Sequence, residues 1–145
     1  MVKTKHYLVL ALTIISSLLV IGCGKATPAD DFEDIAWVLE SLGEPGDLTP
    51  AIEGTRITAT FESDEEQVRG SAGCNSYFGG YELNGQLSIE MLGHTEMYCM
   101  EPEGIMDQED RYLSILHSAE SYEVEDGKLR ISCGEQVLVF TRETS

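Results

Sequence analysis

Basic residues are scarce in this chain, and that scarcity is the first restriction on what it can bind. Only 9 Lys and Arg stand against 26 Asp and Glu, a formal net charge of -17 over 145 residues. A surface so poor in cations repels phosphate backbones and anionic lipid headgroups, so nucleic-acid binding is not expected. The chain also has no C-x-x-C, no G-x-S-x-G, no twelve-residue calcium loop and no zinc-ligand spacing. Those gaps leave a dithiol centre, a serine-hydrolase elbow and a metal site without sequence support. No cofactor or metal is expected. Nothing repeats at solenoid or propeller spacing, so one small domain with a single core is expected.

The first residues decide the compartment. Lys3, Lys5 and His6 precede an apolar run from Tyr7 to Ile21, broken only by Thr13, Ser16 and Ser17. That run suits a signal-peptide core and is short for a membrane span, which needs about 20 apolar residues. It closes on Val20-Ile21-Gly22-Cys23, a small residue before a thiol, and resembles the lipobox of bacterial-type lipoproteins. The resemblance implies that Cys23 receives the lipid and becomes the new N-terminus. Residues 1–22 are then the signal peptide, and residues 23–34 the lipidated end and a flexible, acidic tether. The alternative, an uncleaved anchor with an incidental Cys, also places the remainder outside the cytoplasm. Cleavage takes Lys3 and Lys5 and no acid, leaving 26 acidic residues against 7 basic ones, or -19. An exported, lipid-anchored domain at the cell membrane or outer membrane is expected, with the membrane as partner through Cys23.

From residue 35 to residue 145 the pattern is mostly strand. Ile57, Ala59 and Phe61 alternate with Thr58 and Thr60, the period of a half-buried strand. Asn84-Gly85 and Asp126-Gly127 lie between short apolar-alternating runs and predict two-residue type I′ hairpins, whose central residues need positive φ. Acidic Asp64 to Glu66 predicts a turn, and a further strand runs from Val137 to Phe140. One segment changes period. Ile105, Met106, Glu109, Tyr112, Leu113 and Leu116 follow helical spacing, predicting a helix from Glu103 to Ser118. The expected fold is mainly β (α+β): a curved antiparallel sheet or partial barrel of about seven or eight strands, with one helix packed across it.

The most particular stretch is Val68 to Tyr81, where Gly70, Gly73, Gly79 and Gly80 cluster around Cys74 and Asn75. Here the chain resembles the META-domain family, which includes the heat-shock-associated HslJ-type lipoproteins. Trp37-Val38-Leu39 is similar to its opening strand. Gly73-Cys74-Asn75-Ser76-Tyr77, followed by Gly80-Tyr81, is similar to its glycine-cysteine-asparagine motif. Thr95-Glu96-Met97-Tyr98-Cys99 is similar to its threonine-methionine-cysteine motif, with Tyr98 where the family more often has a small residue. The resemblance implies a partial barrel in a cell-envelope setting, and it makes Cys74 and Cys99 the natural disulfide couple. Exchange with Cys133 stays open, because sequence cannot fix connectivity. So does the alternative that Cys74 and Cys99 are merely small buried residues.

Gly73, Asn75, Tyr81 and Thr95 are the motif residues that could form a binding site. His94 and His117 could converge on Cys74 or Cys99, but His94 reads as a turn residue and His117 as a helix end. The aromatics Tyr77, Phe78, Tyr81 and Tyr98 read as core packing. The expected function is non-catalytic: an envelope lipoprotein, monomeric, contacting an envelope protein or small molecule. The HslJ-type resemblance implies a stress or antibiotic-tolerance role. The alternative is a ligand-binding protein, inhibitor or enzyme with its site at the Cys74-Asn75 loop. A polar pocket converging on Asn75, Thr95 and Tyr81 would favour it.

Overall fold

Ten strands and one helix account for the regular structure of residues 32–144, the span that the computed structural model describes. The expected leader, Cys23 and the tether as far as residue 31 lie outside the described residues. The strands are β1 (Ala36–Glu44), β2 (Asp47–Pro50), β3 (Thr58–Glu62), β4 (Gln67–Ser71), β5 (Ser76–Leu83), β6 (Leu87–Ile89), β7 (Gly93–His94), β8 (Ser121–Glu125), β9 (Lys128–Cys133) and β10 (Gln136–Arg142). Helix α1 spans Ile105–His117, inside the expected bounds. The strands pair antiparallel in the order β6-β5-β4-β3-β1-β10-β9-β8, with β2 on β1 and β7 on β5 as side branches. Those two short branches carry no readable alternation, which is why the expected count was lower. The ends of the order meet where the Leu87 amide donates to the Glu120 carbonyl at 3.1 Å, so the sheet is a nearly closed barrel.

Alternation fills the barrel. Trp37, Leu39, Ala59, Phe61, Val68, Tyr77, Leu129, Ile131, Leu138 and Phe140 are all buried. In β1 the register slips between Leu39 and Ser41, so Leu39 faces Phe140 while Leu42 faces Leu138. That single extra residue is a β-bulge, and it returns Leu42 to the inward side in place of Ser41. Helix α1 closes the barrel with Ile105, Tyr112, Ile115 and Leu116.

The domain starts earlier than the expected Ile35. Phe32 is fully buried, its ring 4.9 Å from that of Phe61 and 4.1 Å from that of Tyr122. Its carbonyl accepts the Trp37 indole N–H at 2.8 Å. A lone aromatic in an acidic tract reads as tether, but partners distant in sequence bury it. The Asp126-Gly127 turn has the expected form, with φ of 51° and 75° between paired Glu125 and Lys128. Asn84-Gly85 does not. Leu83 pairs with Leu87, so the loop has three residues, and only Gly85 takes positive φ.

Gly70 permits the closest backbone approach. A Cβ there would stand 1.9 Å from the Thr58 carbonyl oxygen, which accepts the Tyr77 hydroxyl at 2.9 Å. Gly70→Ala therefore has to push β3 away from β4, and overpacking of this kind costs about 3 kcal/mol. Urea unfolding should show that loss; a variant as stable as the parent would contradict the close approach.

Candidate functional site

The glycine-rich loop leads into β5, and its conformation begins at Gly73, whose φ of 119° suits a residue without Cβ. The turn delivers Asn75 into the interior with 2 % of its surface exposed. Glu109 arrives from α1, 1 % exposed. Its Oε2 accepts the backbone amides of Asn75 at 2.6 Å and Cys74 at 3.0 Å. Its Oε1 accepts the Asn75 side-chain amide at 2.5 Å. A buried carboxylate is tolerated only when donors surround it, and here three N–H groups do so.

The Asn75 amide works in both directions. Nδ2 donates to Glu109 and, at 3.0 Å, to the Met97 carbonyl. Oδ1 accepts the Thr95 hydroxyl at 2.8 Å and the Met97 amide at 2.7 Å. A primary amide has two donor hydrogens and two acceptor lone pairs, so its capacity is full. The Thr95 amide also donates to the Ser76 carbonyl at 3.0 Å. Cys74 and Cys99 close the same region covalently, with Cα atoms 5.9 Å apart. On the chain-entropy model a loop of that length contributes about 3 kcal/mol.

Gly73, Cys74, Asn75, Thr95 and Cys99 thus come together, as their motifs suggested. Tyr81 does not join them. Its ring packs edge-on against Phe61 at 5.3 Å, and its hydroxyl donates to the Glu33 carboxylate. That hydroxyl borders a cleft of ≈ 280 Å³ shared with Glu66 and Asn84. Burial first and Glu33 second raise the Tyr81 phenol above its ordinary value. Glu109 was the residue missed as a site residue. A carboxylate on the apolar stripe of a helix was the available signal, since such a position demands buried donors. Two of the four aromatics depart from expectation as well: Phe78 is 60 % and Tyr98 80 % exposed.

Beneath the network the Tyr77 and Tyr112 hydroxyls lie 2.7 Å apart. Burial raises both phenols. Burial, and then the nearby Glu120, push the Cys133 thiol up to about 12, so it is no nucleophile near neutrality. His94 lies on β7 rather than in a turn, its Nδ1 2.8 Å from the Thr95 carbonyl. His117 ends α1, its Nδ1 3.2 Å from the Glu90 carbonyl. Among the described residues no three His, Cys, Asp or Glu side chains form a group that could hold a metal.

A nearly closed antiparallel barrel, clipped by one disulfide and braced by a helix carboxylate, defines the class. The chain belongs to the META-domain family, whose model matches residues 30–145. A search of curated proteins gives no match. Its fold is similar to the solved structure of a protein from Burkholderia xenovorans, 28% identical with a TM-score of 0.65, covering 79% of this chain and 85% of that one. A DUF4847-family protein from Bacteroides vulgatus is 14% identical with a TM-score of 0.56, covering 79% of this chain and 96% of that one. At that identity the likeness concerns the fold alone.

Glu109→Gln separates bracing from filling. The Gln side chain has one acceptor oxygen and one donor nitrogen where Glu109 has two acceptor oxygens, so wherever it turns, a donor meets a donor: the Cys74 and Asn75 amides, the Asn75 side chain, or the Met97 amide once Asn75 flips. Such an unmet buried group costs about 2 kcal/mol. The urea midpoint should fall accordingly, and an unchanged midpoint would show that Glu109 only occupies space. A second outcome concerns alkali. The thiol and phenols have ordinary values of 9.0 and 10.0 and are raised in the fold. Above those values the unfolded chain releases protons that the native state keeps, so stability falls as pH rises. Urea titrations from pH 8 to 11 should show that decline, and a flat profile would refute it.

Proposed function

We propose that this META-domain protein is a non-catalytic cell-envelope lipoprotein, held by an acylated Cys23 and presenting its barrel outside the cytoplasm as a binding module. The observation that carries the non-catalytic part is the saturated amide of Asn75. All four of its hydrogen-bonding positions are used inside the protein, on Glu109, Thr95 and both main-chain groups of Met97. A side chain with no capacity left positions a loop; it does not bind a substrate. The alternative of a ligand site at the Cys74-Asn75 loop required Asn75, Thr95 and Tyr81 to converge, and Tyr81 bonds instead to Glu33. The anchor is supported by the order of cation, apolar run, Gly22 and Cys23. The stress and antibiotic-tolerance role belongs to the same reading and is supported by the likeness to HslJ-type lipoproteins.

The anchor is tested on the full chain expressed in a bacterial host. Intact mass should place the mature N-terminus at Cys23 with acyl chains attached, in the membrane fraction. Cys23→Ser should lose the acyl mass and the cut before residue 23. An N-terminus elsewhere, or identical processing of the variant, would overturn the lipoprotein assignment.

A further inference from the structure

The segment from Thr95 to Ile105 combines a fixed backbone with outward apolar side chains. Its backbone is held by Thr95 on Ser76, by both main-chain groups of Met97 on Asn75, and by the Cys99 disulfide to Cys74. The Ile105 amide then donates to the Pro102 carbonyl at 3.1 Å. Between those fixings, Met97 is 57 %, Tyr98 80 % and Met100 82 % exposed. A loop with this many restraints could satisfy its polar groups with polar side chains outside, yet it presents two thioethers and a phenol. At its margin Phe78, also exposed, lies over Gly93, where a Cβ would come within 3.1 Å of the ring. Every methionine after Met1 falls between Met91 and Met106. Thioethers adapt to varied apolar partners, and a fixed backbone loses little entropy when it binds.

Charge selects the partner. No Lys or Arg occurs between Arg69 and Arg111, while Glu96, Glu101, Glu103 and Asp107 flank the apolar side chains and are exposed. A second copy would set one acidic rim against another, and an anionic bilayer would be repelled in the same way. We propose that Met97, Tyr98 and Met100 form a docking face for a cationic, amphipathic helical peptide. Its apolar side lies on the thioethers and the Tyr98 ring, and its Lys or Arg side chains meet the carboxylate rim. The proposal deepens the binding-module reading above and is independent of the Cys23 anchor.

The test uses the full chain in nanodiscs of zwitterionic lipid, with empty discs subtracted, titrated with a fluorescent 18-residue Leu/Lys helix as probe. Met97→Ser, Tyr98→Ser and Met100→Ser together leave the Asn75 network intact, since Met97 enters it only through its backbone. This triple variant should keep the parent's circular dichroism and bind at least about tenfold more weakly. Replacing Glu96, Glu101 and Glu103 with Gln should weaken binding and flatten its salt dependence, and a Leu/Gln probe should not bind. Equal affinity for the parent and the Ser variant would overturn the proposal. So would self-association that depends on the three side chains without peptide binding. Failure of the anchor would appear in the processing of Cys23, and the unanchored chain, titrated with the same probe in buffer without discs, should still bind it and lose binding in the triple Ser variant.

Discussion

The hydrogen bonds between Glu109 and Asn75 are the constraint on which the rest of the site depends. They join a helix to a loop 34 residues earlier in the chain, in a place where water cannot substitute. A buried carboxylate without donors is prohibitively costly, and a buried backbone amide without an acceptor costs about 1–3 kcal/mol. Each is the remedy for the other. Because Oε2 takes the amides of Cys74 and Asn75 together, the loop must turn there, which a residue with φ of 119° at Gly73 allows. That turn brings the Asn75 amide to Met97 and the Cys74 sulfur to Cys99.

Bracing of this kind explains why one surface of a small barrel can be both firm and apolar. The disulfide limits how far the two loops separate, and the amide bonds set their orientation. The disulfide is the covalent part of this bracing, and the Glu109 carboxylate with the Asn75 amide is the part that sets the loop's turn. Below this bracing the Tyr77 and Tyr112 hydroxyls pair, linking β5 to the helix a second time, and the Tyr77 hydroxyl donates to the Thr58 carbonyl that Gly70 leaves accessible. The glycine-rich character of the segment thus has a specific cause. Gly73 supplies a backbone angle, and Gly70 supplies room.

Most of this fold was legible where one residue type repeats at a regular interval. The Ile57–Phe61 alternation, the α1 stripe and the Asp126-Gly127 turn each follow from local geometry. Phe32 was not legible, because Phe61 and Tyr122 bury it from far along the chain. Asn84 misled because a two-residue and a three-residue loop share the same Asn-Gly pair; the pairing of Leu83 with Leu87 decides between them. Phe78 could have been read correctly, since period two puts it opposite Tyr77 and Tyr81. Glu109 carried a signal too, as an acid on the apolar face of a helix, but its donors are backbone amides and leave no mark in the sequence. Tyr81 belongs to the motif by position only, and its hydroxyl faces another end of the barrel.

Amide hydrogen exchange at Met97 tests this bracing most directly. Met97 stands on an exposed loop between exposed neighbours, where an amide facing water would exchange within seconds to minutes at neutral pH. Bonded to the side-chain Oδ1 of the buried Asn75, it should exchange as slowly as the amides of Leu138 and Phe140 in the central strand β10. Glu109→Gln should bring its exchange forward together with those of Cys74 and Asn75. Fast exchange at Met97 in the parent protein, with β10 still protected, would contradict the account.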